Sequence, residues 1–214
     1  MVAASNWYAN VLPKAFAADI HLTADTLKMA LLTPAYTPDL VNHVNFSDVR
    51  NHEVIGPGYT ADGMTLTGVS LTLTPANSWG VTWEADTAYT YGQVVIPPTP
   101  NGFLYRCVGA GTTGGSAPAF PTVVGQTVAD GGVGGATWAC MGDAILVFTS
   151  AAVSWPGSTF STAYAVIYDA QSGTYTTEPL ILLDTFATTQ SPAAQTFDVI
   201  PDSVLGWGYW SPPS

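Results

Sequence analysis

Trp79-Gly80-Val81-Thr82-Trp83-Glu84 opens, and Ala136-Thr137-Trp138-Ala139-Cys140 closes, a stretch from Ser78 to Asp143 that reads as a guest folded into a host. Inside it lie tight Gly and Pro punctuation and both cysteines of the chain, Cys107 and Cys140. On either side the pattern changes to alternating apolar and Thr/Ser runs, Met64-Thr65-Leu66-Thr67 before and Ala144-Ile145-Leu146-Val147-Phe148 after. With the guest removed, Leu71-Thr72-Leu73-Thr74-Pro75-Ala76 runs on to Ala144-Ile145-Leu146-Val147-Phe148 as two strand-like segments joined by a short turn. Hairpin tips tolerate insertions because the chain ends there are close and little packing is disturbed. The predicted organisation is a host β-sandwich of residues 1–77 and 144–214 carrying a small inserted β module, 78–143.

Composition points the same way. Thr, Val, Tyr and Trp are abundant, Gly is 21 and Pro 16, and charged residues are 9% of the chain. Segments rich in β-branched and aromatic residues, cut at short intervals by Gly and Pro, predict an all-β fold, a jelly-roll-like two-sheet β-sandwich. Four Lys and Arg stand against 15 acidic residues, a formal charge of -11. A surface so short of cations cannot release phosphate counterions, which excludes nucleic acid as a partner class. A soluble monomer ordinarily carries many interspersed charges, so this uncharged surface predicts that partner chains cover much of it. The start, Met1-Val2-Ala3-Ala4-Ser5-Asn6-Trp7, turns polar at once and predicts no Sec signal. No apolar run approaches the length of a membrane span, so no membrane insertion is expected.

Along the host, Trp7, Val11, Leu12 and Phe16 predict a short amphipathic helix or N-terminal arm, with Pro13 in its middle. Leu27 to Leu32 reads as a central strand, and Gly56-Pro57-Gly58 as a tight turn. Met64, Leu66 and Gly68 occupy one strand phase and Val69, Leu71 and Leu73 the other. A bulge at Gly68-Val69 would bring both apolar sets to the core. Strands are also expected at Ile145 to Thr149, Val153 to Trp155 before a Pro156-Gly157 turn, Tyr164 to Tyr168, Pro179 to Leu183, Thr196 to Ile200 and Leu205 to Trp210. About eight host strands fit a jelly-roll or a related sandwich.

Chemistry has little to hold on to. The chain lacks GxSxG, HExxH, CxxC and GxxxxGK[ST] signatures. His21, His43 and His52, near Asp48 and Glu53, match no metal-ligand spacing, and neither a metal nor another cofactor is expected. Asp62, Asp169 and Asp184 sit beside turns, where carboxylates cap bends, although two of them facing each other would make a glycosidase pair. Asp130-Gly131-Gly132-Val133-Gly134-Gly135 supplies too few oxygen ligands at alternating positions for calcium and reads as a flexible turn. No catalytic residue is assigned.

The guest's aromatics are the candidate binding residues. Trp83, Tyr89, Tyr91, Tyr105 and Trp138, projecting on one face, would form a platform that stacks on sugar rings. A domain this small also needs its aromatics as its core, and that reading weighs more. Cys107 and Cys140 admit two readings, a disulfide across neighbouring strands or two buried thiols of a reducing cytosol.

The host motifs also carry a resemblance. Asp25-Thr26-Leu27-Lys28-Met29-Ala30-Leu31-Leu32-Thr33-Pro34-Ala35-Tyr36-Thr37-Pro38, Glu53-Val54-Ile55-Gly56-Pro57-Gly58-Tyr59-Thr60, Val153-Ser154-Trp155 and Tyr164-Ala165-Val166-Ile167-Tyr168 resemble, in that order, motifs of small virion proteins of tailed bacteriophages. Ala163 departs from the pattern, which commonly has Arg there. Trp83 to Val95, Leu104 to Cys107, Gly111 to Gly114 and Asp130 to Trp138 resemble a small carbohydrate-binding-like β module recurrent in phage tail and head proteins. The resemblance implies a non-enzymatic capsid decoration or cement protein, a homo-oligomer (dimer or trimer) bound over joints of the major capsid protein on the virion exterior. The alternative it implies is a tail fibre or baseplate component that binds host surface glycan through the guest.

Overall fold

The computed structural model describes residues 2–131, 134–203 and 205–210. In chain order its elements are β1 (Val2–Trp7), α1 (Val11–Phe16), β2 (Leu27–Leu32), β3 (Met64–Thr65), β4 (Ser70–Pro75), β5 (Ala88–Tyr89), β6 (Val94–Val95), β7 (Leu104–Gly109), β8 (Gly111–Thr112), β9 (Thr127–Asp130), β10 (Ala136–Gly142), β11 (Ala144–Thr149), β12 (Val153–Thr159), β13 (Thr162–Asp169), β14 (Leu180–Gln190), β15 (Ala193–Val199) and β16 (Gly208–Trp210). The chain is all-β and sandwich-like, built of several antiparallel sheets, as its composition predicts.

It divides into two compact units. One runs up to Leu71 and resumes over Phe148–Gly208; the other is Thr72–Val147 with Tyr209 and Trp210. The division therefore falls inside β4 and β11 rather than at 77/78 and 143/144, and Tyr209 and Trp210 group with the inserted unit, not with the host. The physical reason is that composition changes where a strand ends, whereas each strand runs on through the boundary. β4 and β11 are neighbours in a three-stranded sheet of order β16-β11-β4.

In the host unit the main sheet has the order β1-β14-β13-β2-β3, antiparallel throughout. Its inner strands are nearly continuous apolar runs because both faces are covered. Leu27, Met29, Ala30, Leu31 and Leu32 of β2 are all buried, as are Leu180 to Leu183 of β14. The predicted central strand at Leu27 to Leu32 is thus found in place. Phe46 stacks on Tyr168 with ring centroids 4.0 Å apart, closing one side of the core. On another side β12 pairs with β15. There Phe197 of β15 meets Trp155 at 6.1 Å, Phe160 at 5.6 Å and Phe186 of β14 at 5.8 Å. Aromatic pairs of this kind add roughly 0.5–1.5 kcal/mol each beyond the area they bury.

The helix α1 forms where the spacing predicts it. Pro13 is its third residue, within the first turn, where a missing N–H costs nothing. Two host expectations are corrected. Met64 to Leu73 is not one bulged strand: the chain turns at Gly68, whose φ is +64°, and β3 and β4 enter different sheets. Leu71 and Leu73 consequently face outward and are exposed. Pro156-Gly157 does not end a strand either. β12 runs through it, with a break in register between Trp155 and Ser158 that absorbs one extra residue as a bulge.

The inserted unit holds a four-stranded sheet of order β6-β7-β10-β9 and the pair β5-β8. Its register decides the fate of the aromatics. Cys140 lies opposite Tyr105 and Trp138 opposite Cys107. Because side chains alternate along a strand, Tyr105, Cys107, Ala136, Trp138 and Cys140 all fall on one face, and that face is the core.

Candidate functional site

Of the two readings of Trp83, Tyr89, Tyr91, Tyr105 and Trp138, the one given more weight, that they form the core, holds for four of them, and the five do not form a sugar platform. Trp83 and Tyr89 are buried, and Tyr105 and Trp138 are 0% exposed, all four in the core of the inserted unit. Their polar tips are spent inside. The Tyr89 hydroxyl accepts the Glu84 N–H at 3.0 Å, and the Tyr105 hydroxyl donates to the Pro121 carbonyl at 2.7 Å while accepting from Asn101 Nδ2 at 2.7 Å. Burial raises the pKa of both phenols. Tyr89 meets Trp138 edge to face at 4.9 Å, and Phe120 leans on Tyr105 at 4.4 Å.

The knot of this core is a residue read from sequence as part of a flexible turn. Asp130, the last residue of β9, is 3% exposed. Its Oδ2 accepts both indole N–H groups, from Trp83 at 2.6 Å and Trp138 at 2.9 Å, and its Oδ1 accepts the Gly114 N–H at 2.9 Å. One carboxylate therefore ties three separate segments together. Two tryptophans that must bury their N–H groups, and one Asp amid glycines, were the sequence signal for it.

The cysteines are free thiols, both buried, so of the two readings the sequence admits the buried thiols are found and the disulfide is not. The register offsets them: Cys107 faces Trp138, and Cys140 faces Tyr105. Cys107 Sγ donates to the Gly109 carbonyl at 3.2 Å. Burial pushes both thiols up, which makes them poor nucleophiles at neutral pH.

Tyr91 alone of the five candidates is exposed, at 60%. β5 ends at Tyr89, and Tyr91 precedes Gly92 in a turn that carries its ring off the core face. Arg106, between the inward Tyr105 and Cys107, points the other way for the same alternation. Its guanidinium carbon lies 4.8 Å from the Tyr91 ring centre and 5.7 Å from that of Tyr209, and its Nη1 donates to the Tyr209 hydroxyl at 3.1 Å.

In the host unit the polar residues flagged from sequence are scattered and partnered. His43 Nδ1 and the Tyr36 hydroxyl are 2.9 Å apart, the His52 ring lies 5.7 Å from Tyr36, and His21 sits beside Asp25. Among the described residues no three His, Cys, Asp or Glu gather as a metal site. Asp62 binds Arg50 Nε at 3.2 Å and the Tyr175 hydroxyl at 3.0 Å, while Glu53 accepts the Tyr59 hydroxyl at 2.7 Å and the Asp62 N–H at 2.6 Å. These bonds pin the loops around β2. Asp169 accepts the Gln171 N–H, and its acid is pushed up to about 6, chiefly by burial. Asp184 is fully buried on β14, where Ser5 Oγ of β1 donates to its Oδ1 and its Oδ2 has no partner.

The host surface has an apolar side. α1 turns Val11 inward and leaves Leu12 and Phe16 outward, one helical turn apart, with Phe16 87% exposed. Val41 is exposed as well, on the loop held to the start of the helix by the Ala9 N–H to Leu40 carbonyl bond and by Asn10 Nδ2 to the Val44 carbonyl. No helix among the described residues is long and apolar enough to cross a membrane. No protein-family model matches the chain, and no curated protein and no solved structure matches it.

Proposed function

We propose that the chain is a non-enzymatic structural protein of a bacteriophage particle, a cement or decoration protein on the outside of the head. The host unit docks over joints between major capsid subunits, the chain works as a homo-oligomer, and the inserted unit is displayed outward. The observation that carries this reading is the outward face of α1. Leu12 and Phe16, beside Val41, are large apolar side chains left in water on a chain with few surface charges, which is the signature of a docking face. A protein that binds only the assembled shell stabilises it by mass action. The order of the host motifs adds the resemblance to phage virion proteins.

Cryo-electron microscopy of the particle that carries this chain tests the proposal. Regular density over the capsid lattice joints is the expected result, with occupancy lowered by Leu12→Ser and Phe16→Ser. Absence from the particle overturns it. A second reading, a tail fibre or baseplate component that binds host surface glycan through the inserted unit, is favoured by the exposed Tyr91 against Arg106. Density confined to the tail would select it.

A further inference from the structure

Arg106 is the one Lys or Arg between residues 72 and 147, set against Glu84, Asp86, Asp130 and Asp143. Arg50, in the host unit, has a carboxylate partner in Asp62. Among the described residues no carboxylate lies within ion-pair distance of Arg106. Its Nε is covered and without an acceptor, and its Nη1 donates to the Tyr209 hydroxyl. A guanidinium stays charged under all ordinary conditions, so this one is held between two rings and partly desolvated, with no carboxylate partner among the described residues. Its register partner Val94 is buried, so the base of the site is fixed by the β6–β7 ladder while Tyr91 stays open to solvent.

From this geometry we infer that Tyr91, Arg106 and Tyr209 form a binding site for a carboxylate-bearing saccharide. The outer edge of Arg106 pairs with the carboxylate, and the exposed Tyr91 ring receives the apolar face of the sugar. The fork of a guanidinium matches a carboxylate in a charge-assisted, directional pair. A Tyr ring offers an amphipathic stacking surface at small entropic cost. One isolated cation on a chain of charge -11 cannot hold a dense polyanion, which needs a row of cations and is repelled by the rest of the surface. A single carboxylate in an otherwise neutral glycan is matched locally, because screening confines the rest of the field to about 8 Å at physiological salt. This inference rests on the second reading above, that the inserted unit meets glycan, and it names the ligand class.

The test is a 1H–15N NMR titration of the full chain with D-glucuronate, D-glucose and acetate, each taken to about 50 mM, enough to see a dissociation constant of order 1–10 mM. Glucuronate is expected to shift the amides around Tyr91 and Arg106, with glucose silent there and acetate at least about fivefold weaker. Arg106→Gln and Tyr91→Ala are each expected to weaken glucuronate about tenfold or more with the rest of the spectrum unchanged. Tyr91 is exposed, so its variant keeps the test sound if loss of Arg106 disturbs folding. Equal affinity for acetate removes the saccharide from the inference, and equal affinity for glucose removes the carboxylate; either overturns it, and the latter leaves the glycan reading standing. Silence from glucuronate overturns it, and silence from both sugars sinks the glycan reading with it.

Discussion

At the scale of single residues, two buried carboxylates set the predictions, and they do opposite things. Asp130 is satisfied three times over, so replacing it strands three donors. Asp130→Ala should destabilise the inserted unit by about 3 kcal/mol or more, because each buried donor left without a partner costs roughly 1–3 kcal/mol. Tryptophan fluorescence during chemical unfolding would register this, and an unchanged midpoint would contradict the role of Asp130. Asp184 is the reverse case, buried with a single donor from Ser5. Burial pushes its acid up to about 7, with the Ser5 bond pulling the other way. An unfolded aspartate titrates near 3.9, so between about pH 4 and pH 7 the folded state holds a proton that the unfolded state has lost. Stability from this group is therefore full at low pH and falls as pH rises through that window, by about 4 kcal/mol at most. Asp184→Asn should flatten the fall between pH 6 and 7 in thermal unfolding, while Asp169, whose acid is pushed up to about 6, keeps part of the slope below that.

Among elements, the turns decide more than the strands. Gly63 precedes β3 with φ +71°, and a Cβ there would stand 2.0 Å from the Met29 carbonyl oxygen of β2. Gly63→Ala therefore collides with backbone and strains its own φ. A loss of about 3 kcal/mol or more is expected, read as a lower denaturant midpoint, and a neutral result would mean that β3 does not lie against β2 as described. The same scale explains how the aromatics divide between core and surface. Tyr105 and Cys107 two apart, and Ala136, Trp138 and Cys140 two apart, already stated that these side chains share a face. They did not state which face was buried. Tyr91 shares that spacing with Tyr89, yet it escapes because β5 stops first.

For the whole molecule, the arrangement of one unit inserted in the sequence of another makes a deletion test direct. The Ala76 N–H donates to the Asp143 carbonyl at 2.8 Å, so the two ends of the inserted segment are already in contact. Replacing residues 78–142 by a short Gly-Ser link of about three residues should leave the remaining chain folded, with a melting temperature within about 5 °C of the host transition in the full chain. Failure to fold would mean that the host unit depends on the insert.

By itself the sequence determined the all-β class, the central strand Leu27 to Leu32, the short helix around Pro13 and the fact that a second unit interrupts the first, because periodicity, Gly/Pro punctuation and composition are local properties. It also contained the parity that puts Arg106 opposite Tyr105 and Cys107. Only tertiary structure decided that four of the five candidate aromatics are core, that Asp130 is their shared acceptor, that Cys107 and Cys140 are offset free thiols, and that Tyr209, far along the chain, joins Tyr91 at Arg106. Those facts depend on register and on pairs distant in sequence. Strand alternation states that two side chains lie on the same side, and only the packing of one layer on another says which side meets water.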